Sequence, residues 1–366
     1  MKRILIIANN DVGLYKFRKE LITELTKENE IYLLLPYGKN VDKLIALGAK
    51  FIDCPYLERR GTNPFKDIRL MLYFRKNIRK LKPDVILTYT IKPNIYGGYA
   101  ACLCKIPYIV NVTGLGTALE NEGILQKITS LMYKVALKDA KKIFFQNQAN
   151  QDFMLDRKII DKSNSYEIIP GSGVNLQEYQ VKPYPKQEQV KFAFVSRIMK
   201  QKGIDQYLAA AKYIKKKYPE TEFHIYGFCE EEYQGGGLNK LHAEKVINYH
   251  GMVQDMQSVY QKISCLIHPT YYPEGMSNVL LEACASGRPI ITTDRPGCRE
   301  IVDDGINGFV IAEQNSKDLT DKIEQFLHLN LDQREKMGVT ARKKVEREFD
   351  RQIIVSKYLA EIQNIR

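Results

Sequence analysis

Short apolar runs alternate with longer amphipathic segments along the first half of the chain. The runs have the length of buried strands and lie at Ile4–Ala8, Ile31–Leu35, Lys50–Cys54, Val85–Tyr89, Tyr108–Val112 and Ile143–Gln146. The segments between them, such as Leu14–Lys27 and Pro64–Lys82, place apolar residues at helical spacing. Strands separated by helices in this way predict βαβ units around a parallel sheet.

The alternation stops at the polar, proline-containing stretch Gln180–Gln189, which predicts a linker. Strand and helix patterns then resume at Val190–Val195, Gly203–Lys217, Glu222–Tyr226, Leu266–His268, Ser277–Ser286 and Pro289–Thr293, and helices follow from Ser316 onward. The length of 366 residues suits two domains. We therefore predict an α/β protein with two Rossmann-like, doubly wound domains, at residues 1–180 and 190–345, facing across a cleft. A C-terminal helix at 346–366 can return to the first domain.

The composition excludes several classes of protein. Hydrophobic residues make up 44% and charged residues 27%, which is typical of a folded globular chain. No apolar run approaches the roughly 20 residues of a membrane-spanning helix, and the first apolar run is too short for a signal peptide. The seven cysteines and five histidines show no metal-binding spacing, so no metal site is predicted. We expect a cytoplasmic protein.

Positive charge is concentrated in the first half of the chain. Residues 1–180 hold 28 Lys and Arg against 18 Asp and Glu, a net +10 out of +12 for the whole sequence. The segment Arg59–Lys82 alone has nine basic residues, one acidic residue (Asp67) and interspersed apolar residues. Such a helix can lie on an anionic bilayer, or pack its apolar stripe inward and leave a basic rim for lipid phosphates. We expect peripheral association with the inner face of the cytoplasmic membrane.

Two glutamates, Glu274 and Glu282, flank seven residues across a predicted turn and helix start. Ser277 is a good N-cap residue. The amides of residues 277–279 and the helix dipole would together form an anion site. Glu282, farther along the helix, can reach a pair of ribose hydroxyls, and Glu274 lies at the mouth of the site. An ordinary pair of solvated glutamates is the alternative.

Two cations, Arg197 and Lys202, follow the predicted strand Val190–Val195 and precede a helix. At the carboxyl end of that strand, beside a helix N-terminus, they could bind a diphosphate and stabilise it as a leaving group. A charged surface loop is the alternative.

Taken together, the chain resembles the retaining family-4 glycosyltransferases, which have the two-domain GT-B fold. The resemblance covers essentially the whole length and rests on Glu274-x7-Glu282, Arg197 with Lys202-Gly203, the loop Gly251–Asp255 and the turn Asp304–Phe309. It implies a nucleotide-sugar donor held mainly by the C-terminal domain, an acceptor-binding N-terminal domain, and transfer with retention. It implies no metal or other cofactor.

The resemblance also implies residue roles. Glu274, Arg197 and Lys202 would be catalytic, with the two cations on the donor diphosphate. Glu282 would bind the ribose. The remaining donor-binding positions would act largely through the backbone: Gly13, Gly251, Met252, Gly275, Met276, Ser277, Asn278 and Val279.

Three N-terminal segments indicate a subgroup within this family. They are Asn9–Arg18, Thr90–Gly97 and Asn111–Gly116. They resemble bacterial family-4 enzymes that extend polyprenyl-diphosphate-linked sugars in capsule, O-antigen and glycan assembly. This implies a UDP-sugar donor, transfer of an N-acetylhexosamine or hexose, and a polyprenyl-diphosphate-linked saccharide as acceptor. The acceptor-side residues would be Arg18, Lys92, Thr113 and Gly114.

Thr113 stands where many family members have a histidine that contacts the donor sugar. A threonine hydroxyl is not a base near pH 7. We therefore expect a front-face transfer in which the leaving diphosphate takes the acceptor proton.

The sequence leaves two other functions open. A UDP-N-acetylglucosamine 2-epimerase shares the fold but needs acid and base groups, and the Gly13 and Thr113 loops offer only Asp11. A non-catalytic nucleotide-sugar or nucleic-acid binding protein is compatible with the basic first half. No nucleic-acid binding motif is present, so no nucleic-acid partner is expected.

Overall fold

A computed structural model describes residues 1–58, 61, 63–120, 122–186 and 189–365. Three residues of the predicted basic segment, Arg59, Arg60 and Thr62, lie outside the described residues, and so do Gln187 and Glu188 of the predicted linker.

The chain forms two compact units, each with its own parallel sheet. Unit 1 comprises Met1–Gly173, Pro273–Met276 and Arg351–Arg366, and unit 2 comprises Val174–Tyr272 and Ser277–Asp350. The sequence pattern groups Pro273–Met276 with the helix that follows it, whereas the structure gathers this segment with unit 1.

All six apolar runs of the first half form strands in unit 1. The strands are β1 (Arg3–Ile7), β2 (Glu30–Leu35), β3 (Lys50–Asp53), β4 (Val85–Tyr89), β5 (Tyr108–Val112), β6 (Lys142–Phe145) and β7 (Tyr166–Ile168). They lie in the order β3-β2-β1-β4-β5-β6-β7, and every neighbouring pair is parallel. The sequence pattern missed β7, because its three residues contain no continuous apolar run.

Helices cover both faces of this sheet. They are α1 (Asp11–Thr26), α2 (Val41–Ala46), α3 (Pro64–Leu81), α4 (Gly98–Cys104), α5 (Gly116–Glu120), α6 (Ile124–Leu137) and α7 (Gln148–Asp156), with a π-helical turn at Pro93–Gly97. Side chains of β1 alternate between two cores: Leu5 and Ile7 pack on one face, and Ile4 and Ile6 on the other. This alternation is why the strand is apolar throughout.

Unit 2 repeats the arrangement with six strands. They are β8 (Lys191–Val195), β9 (Glu222–Tyr226), β10 (Asn248–Tyr249), β11 (Cys265–His268), β12 (Ile290–Thr293) and β13 (Gly308–Ile311), in the parallel order β10-β9-β8-β11-β12-β13. The helices are α8 (Ile204–Lys217), α9 (Gly237–Ala243), α10 (Met256–Lys262), α11 (Asn278–Ala285), α12 (Ser316–Leu327) and α13 (Leu331–Glu348). The predicted α/β fold with two doubly wound sheets is confirmed.

The last helix, α14 (Arg351–Asn364), belongs to the core of unit 1. The Tyr358 ring packs against Phe144 at 4.8 Å between ring centroids, and the buried Arg351 pairs with Glu20 at 2.9 Å. The final helix therefore completes the fold of the first unit. No helix in the described part of the chain is long and apolar enough to cross a membrane.

Candidate active site

The strand order of each sheet marks where a ligand would bind. In unit 2, β9 and β10 extend the sheet on one side of β8, whereas β11, β12 and β13 extend it on the other side. The order therefore reverses between β8 and β11. In unit 1 the same reversal falls between β1 and β4. Open parallel sheets bind ligands in the crevice outside the carboxyl ends of their strands at such a switch point.

In unit 2 the two predicted cations share one aromatic ring at this switch point. The Arg197 guanidinium carbon lies 5.5 Å from the ring centroid of Tyr272, and the Lys202 ammonium lies 4.7 Å from it. Arg197 also pairs with Glu230 at 3.0 Å. Lys202 is largely buried, with 7% of its surface exposed. The loops after β8 and β11 thus bring together the charges that the sequence predicted and an aromatic residue that it did not.

Backbone contacts hold these two loops together. The Tyr271 amide donates to the Gln201 carbonyl at 2.9 Å, and the Arg295 side chain donates to the Tyr272 carbonyl at 3.1 Å. Gly203 has φ +77°, and a Cβ atom there would lie 2.0 Å from the carbonyl oxygen of Pro269. Only glycine permits this approach, so the turn that carries Lys202 is fixed against the end of β11.

The predicted helix start is present, although its capping differs from the expectation. Ser277 occupies the N-cap position of α11, but its side chain makes no capping hydrogen bond. Its amide instead donates to the Gly297 carbonyl at 2.8 Å. Asn278 and Val279 form the first turn, so the positive end of the helix dipole lies there.

Glu282 is oriented by a buried tyrosine. The Tyr260 hydroxyl donates to Oε2 of Glu282 at 3.0 Å. Burial and the neighbouring Glu282 raise the pKa of Tyr260 well above its usual range, so the phenol stays protonated and keeps donating. The Arg288 side chain donates to the Tyr260 carbonyl at 2.6 Å. Sequence reasoning missed Tyr260, which lies on α10, because nothing local to it points to a site.

The loop predicted to hold the base is tied to the end of β9. The Gly227 amide donates to the Gly251 carbonyl at 2.8 Å, and the His250 ring stacks on Tyr226 at 4.5 Å between centroids. Burial lowers the pKa of His250, so its ring is neutral at pH 7. Met252 is 68% exposed. The loop backbone is therefore fixed, while the methionine side chain reaches into solvent.

Glu274 and Gly275 are held by unit 1. The buried Asn147 side chain donates to the Gly275 carbonyl at 2.6 Å and to the Glu274 carbonyl at 3.3 Å, while its own oxygen accepts from the Asn150 amide and caps α7. A Cβ atom on Gly275 would lie 2.0 Å from the Thr113 carbonyl oxygen. The glycine is therefore required where its backbone meets the end of β5.

Three further residues that the sequence predicted at the site lie in or beside the segment Pro273–Met276. Thr113 and Gly114 follow β5, and a Cβ on Gly114 would lie 3.3 Å from the Gly275 nitrogen. Met276 is buried beside Gly171. Unit 1 thus brings Thr113, Gly114, Glu274, Gly275 and Met276 together.

The remaining acceptor-side residues lie elsewhere in unit 1. Lys92 pairs with Asp67 of α3 at 2.7 Å, and the Tyr96 hydroxyl donates to the same carboxylate at 2.8 Å. Arg18 is 5% exposed and lies 4.9 Å from the ring centroid of Tyr89. Gly13, which the sequence predicted to bind the donor, also lies in unit 1, and its amide donates to the Asn10 side chain at 2.6 Å in the cap of α1. No group of three or more His, Cys, Asp or Glu side chains within the described residues is placed to hold a metal.

Two family profiles match the chain. Residues 3–147 match "Glycosyl transferase 4-like", and residues 177–344 match "Glycosyl transferases group 1". The chain is 27% identical to the N,N'-diacetylbacillosaminyl-diphospho-undecaprenol alpha-1,3-N-acetylgalactosaminyltransferase of Campylobacter jejuni, over 98% of this chain and 97% of that protein. It is 26% identical to the capsular polysaccharide biosynthesis glycosyltransferase CapM of Staphylococcus aureus, over 81% and 80%.

The fold matches solved structures over its whole length. The crystal structure of Anabaena HepE in complex with UDP and glucose superposes with a TM-score of 0.81, covering 100% of both chains at 15% identity. A glycosyltransferase from Rickettsia africae superposes with the same TM-score at 18% identity, covering 100% of this chain and 98% of that one. The chain therefore belongs to the group 1 glycosyltransferases, the retaining family-4 enzymes with the GT-B fold.

Proposed function

We propose that this glycosyltransferase moves a sugar from a UDP-sugar to a polyprenyl-diphosphate-linked saccharide. The observation that carries the proposal is the position of Arg197 and Lys202 over one ring at the switch point of unit 2. Two cations beside a helix N-terminus suit the diphosphate of a nucleotide-sugar. Negative charge grows on that diphosphate as the bond to the sugar breaks, and both cations would stabilise it.

The other donor contacts follow from the same loops. In this proposal Glu282 accepts hydrogen bonds from the ribose hydroxyls, and the hydrogen bond from Tyr260 to Oε2 fixes its carboxylate for that task. The backbone at Gly251 and Met252 holds the base, since the Gly227 amide pins that loop. The amides of Asn278 and Val279 face the distal phosphate with the positive end of the helix dipole, whereas the Ser277 amide, also predicted there, already donates to the Gly297 carbonyl.

Glu274, Gly275 and Met276 are assigned to the transferred sugar. The support is the clamp formed by Asn147 and the Thr113 carbonyl, which fixes the backbone at Glu274 and Gly275. Because Thr113 cannot act as a base, we assign the acceptor proton to the leaving diphosphate. Front-face transfer of this kind retains the anomeric configuration.

The acceptor assignment is supported by the relatives. The Campylobacter jejuni protein is named for a diphospho-undecaprenol acceptor, and it aligns with this chain from end to end. An Escherichia coli relative, 24% identical over 69% of this chain, is named for the same kind of lipid carrier. On this basis we place the lipid-linked saccharide with unit 1 and its acceptor-side residues.

A transfer assay tests this function. Purified protein is incubated with a polyprenyl-diphosphate-linked saccharide and each of a panel of UDP-, GDP- and ADP-sugars, and lipid-linked product is measured. We expect product with a UDP-N-acetylhexosamine or UDP-hexose. Product with GDP- or ADP-sugars alone, or with no sugar nucleotide, would contradict the proposal.

Lys202 gives the assay a matched pair of variants. Lys202→Met should lower kcat by about a hundredfold or more, because the removed charge stabilises the leaving group mainly in the transition state. Lys200→Met removes an exposed lysine from the same short turn and should leave kcat unchanged. An effect of Lys202→Met confined to KM would argue against this role.

We also propose peripheral association with an anionic membrane surface. The outward face of α3 exposes Phe65, Ile68 and Leu72 at 84, 53 and 50%. On α6, Ile124, Ile128, Leu131 and Val135 form a second exposed row at helical spacing. Exposed lysines at 127 and 134 lie on the same helix, and the exposed Lys138 is its C-cap. Apolar rows flanked by basic side chains suit a bilayer that contains acidic lipids.

Vesicle flotation measures this association. The wild-type protein should float with vesicles containing anionic lipid and not with neutral vesicles. The double variant Ile128→Ser with Leu131→Ser should reduce binding by about tenfold, since it removes two insertable aliphatic side chains. The control, Ile306→Ser with Val339→Ser, changes exposed aliphatic residues of unit 2. Equal binding of wild type and the α6 variant would exclude α6 from the contact.

The clamp on Glu274 yields a separate prediction. Asn147→Ser keeps a good N-cap for α7 but is too short to donate to the carbonyls of Glu274 and Gly275. We expect kcat/KM for transfer to fall by at least about tenfold, because small displacements at a reacting centre are costly. Asn330→Ser, at the N-cap of α13, is the matched control and should keep full activity. Wild-type activity of Asn147→Ser would show that the hydrogen bonds from Asn147 to the Glu274 and Gly275 carbonyls do not contribute to transfer.

A further inference from the structure

Thr90 has a backbone conformation that threonine rarely adopts. It follows the last residue of β4 and has φ +74°. Six non-glycine residues in the described ranges have positive φ, and Thr90 is the β-branched one among them. A branched Cβ clashes with the backbone in this region. Such conformations persist where the surrounding structure imposes them, and they cluster at ligand sites.

The Thr90 side chain adds a second anomaly. Its hydroxyl is buried and has no hydrogen-bond partner among the described residues. The Thr90 carbonyl accepts from the Asn94 amide at 2.9 Å, at the start of the π-helical turn. The carbonyl therefore has a hydrogen-bond partner within the fold, whereas the hydroxyl has none among the described residues. A buried hydroxyl without a hydrogen-bond partner costs free energy, unless a bound ligand supplies the missing hydrogen bond.

Arg18 places a buried cation beside the last residue of β4. Its guanidinium lies 4.9 Å from the ring centroid of Tyr89, the residue before Thr90. One terminal nitrogen donates to the Phe17 carbonyl at 2.8 Å, and Nε has no partner within the described chain. Burial raises the pKa of both Tyr89 and Tyr358, so the phenols facing Arg18 are neutral. No carboxylate in the described part of the chain forms an ion pair with Arg18.

The topology places the two residues at the same edge of the sheet. Arg18 lies on α1, which follows β1, and Thr90 directly follows β4. The strand order of unit 1 reverses between β1 and β4. A switch point is where an open parallel sheet binds ligands. The other cation expected on the acceptor side, Lys92, is already paired with Asp67.

We infer that Thr90 and Arg18 form a binding subsite for a phosphate oxygen of the acceptor's diphosphate. The inference rests on the proposed function for the identity of the acceptor. In this subsite Arg18 supplies the positive charge, and the Thr90 hydroxyl turns to donate to the phosphate. The left-handed backbone of Thr90 holds that hydroxyl at the carboxyl edge of the sheet.

Three substitutions at Thr90 distinguish the effect of the hydroxyl from the effect of the backbone conformation. Thr90→Gly relieves the strain and removes the hydroxyl, Thr90→Val keeps the branched side chain without the hydroxyl, and Thr90→Ser keeps the hydroxyl. Thr90→Gly should fold with an unchanged or slightly higher Tm, since glycine adopts positive φ freely. Lys158→Gly makes the same backbone change at another left-handed position, φ +54°, and serves as the control.

Two readouts are measured for each variant. The first is the affinity for inorganic pyrophosphate, and separately for orthophosphate, by calorimetry on protein saturated with UDP, which keeps the donor site occupied. The second is the KM for the lipid-linked acceptor at saturating donor. Thr90→Gly and Thr90→Val should weaken pyrophosphate binding and raise the acceptor KM by about ten- to a hundredfold, as expected for loss of a hydrogen bond to a charged group. Thr90→Ser and Lys158→Gly should stay close to wild type, and the donor KM should not change.

The outcomes separate this subsite from the proposed function. Wild-type affinity and acceptor KM in Thr90→Gly would overturn the subsite and leave Thr90 as a turn residue. Absence of pyrophosphate binding to the UDP-saturated wild type would overturn it as well. Binding that depends on Thr90 in a protein that modifies no polyprenyl acceptor would support the subsite and refute the proposed acceptor. Equal affinity for orthophosphate and pyrophosphate would assign it to free phosphate and overturn the link to the diphosphate.

Discussion

The ring of Tyr272 lies next to two cations, and the organisation of unit 2 around its switch point depends on that arrangement. Arg197 and Lys202 carry like charges, which repel each other at short range. The negative face of an aromatic ring attracts both, by about 0.5–2 kcal/mol for each cation. Glu230 balances Arg197, while Gln201 and Arg295 fix the backbone on either side of the ring. These contacts therefore hold the pair in place, as the proposed binding of a diphosphate requires.

The same topological rule places the candidate residues in both units. In unit 2 the reversal between β8 and β11 brings the loops of Lys202 and Tyr272 together. In unit 1 the reversal between β1 and β4 brings α1 and Thr90 to one edge. Each sheet thus presents a cation at the carboxyl ends of its central strands. This arrangement is consistent with the proposed function, in which both substrates carry a diphosphate.

Much of this could be predicted from the sequence, because the informative patterns are local. Alternation of apolar runs and amphipathic segments predicted every strand except β7, β10 and β13, and the spacing of Arg197, Lys202 and Glu282 identified candidate donor contacts. The residues that orient them were missed. Tyr260 and Asn147 act on Glu282 and Glu274 from positions distant in sequence. Their types, a buried tyrosine and a helix-capping asparagine, are common in any fold.

Two predictions made from local sequence differ from the structure, because contacts with residues distant in sequence decide the outcome. Ser277 has the right residue type for a side-chain cap, yet its amide is taken up by Gly297 and the side chain does not cap. Pro273–Met276 is contiguous with α11 in sequence, but the Asn147 side chain and the backbone at Thr113 hold it in unit 1. The strain at Thr90 has no sequence signal, since positive φ at a threonine is set by the turn after β4.

The most direct test is the affinity for UDP of two Tyr272 variants, measured by calorimetry. Tyr272→Phe keeps the ring, and it should bind UDP within about twofold of wild type. Tyr272→Leu removes the ring, so both cations lose their shared contact and binding should weaken by about tenfold. Wild-type affinity in Tyr272→Leu would contradict the account, because the cation pair would then be positioned without the ring.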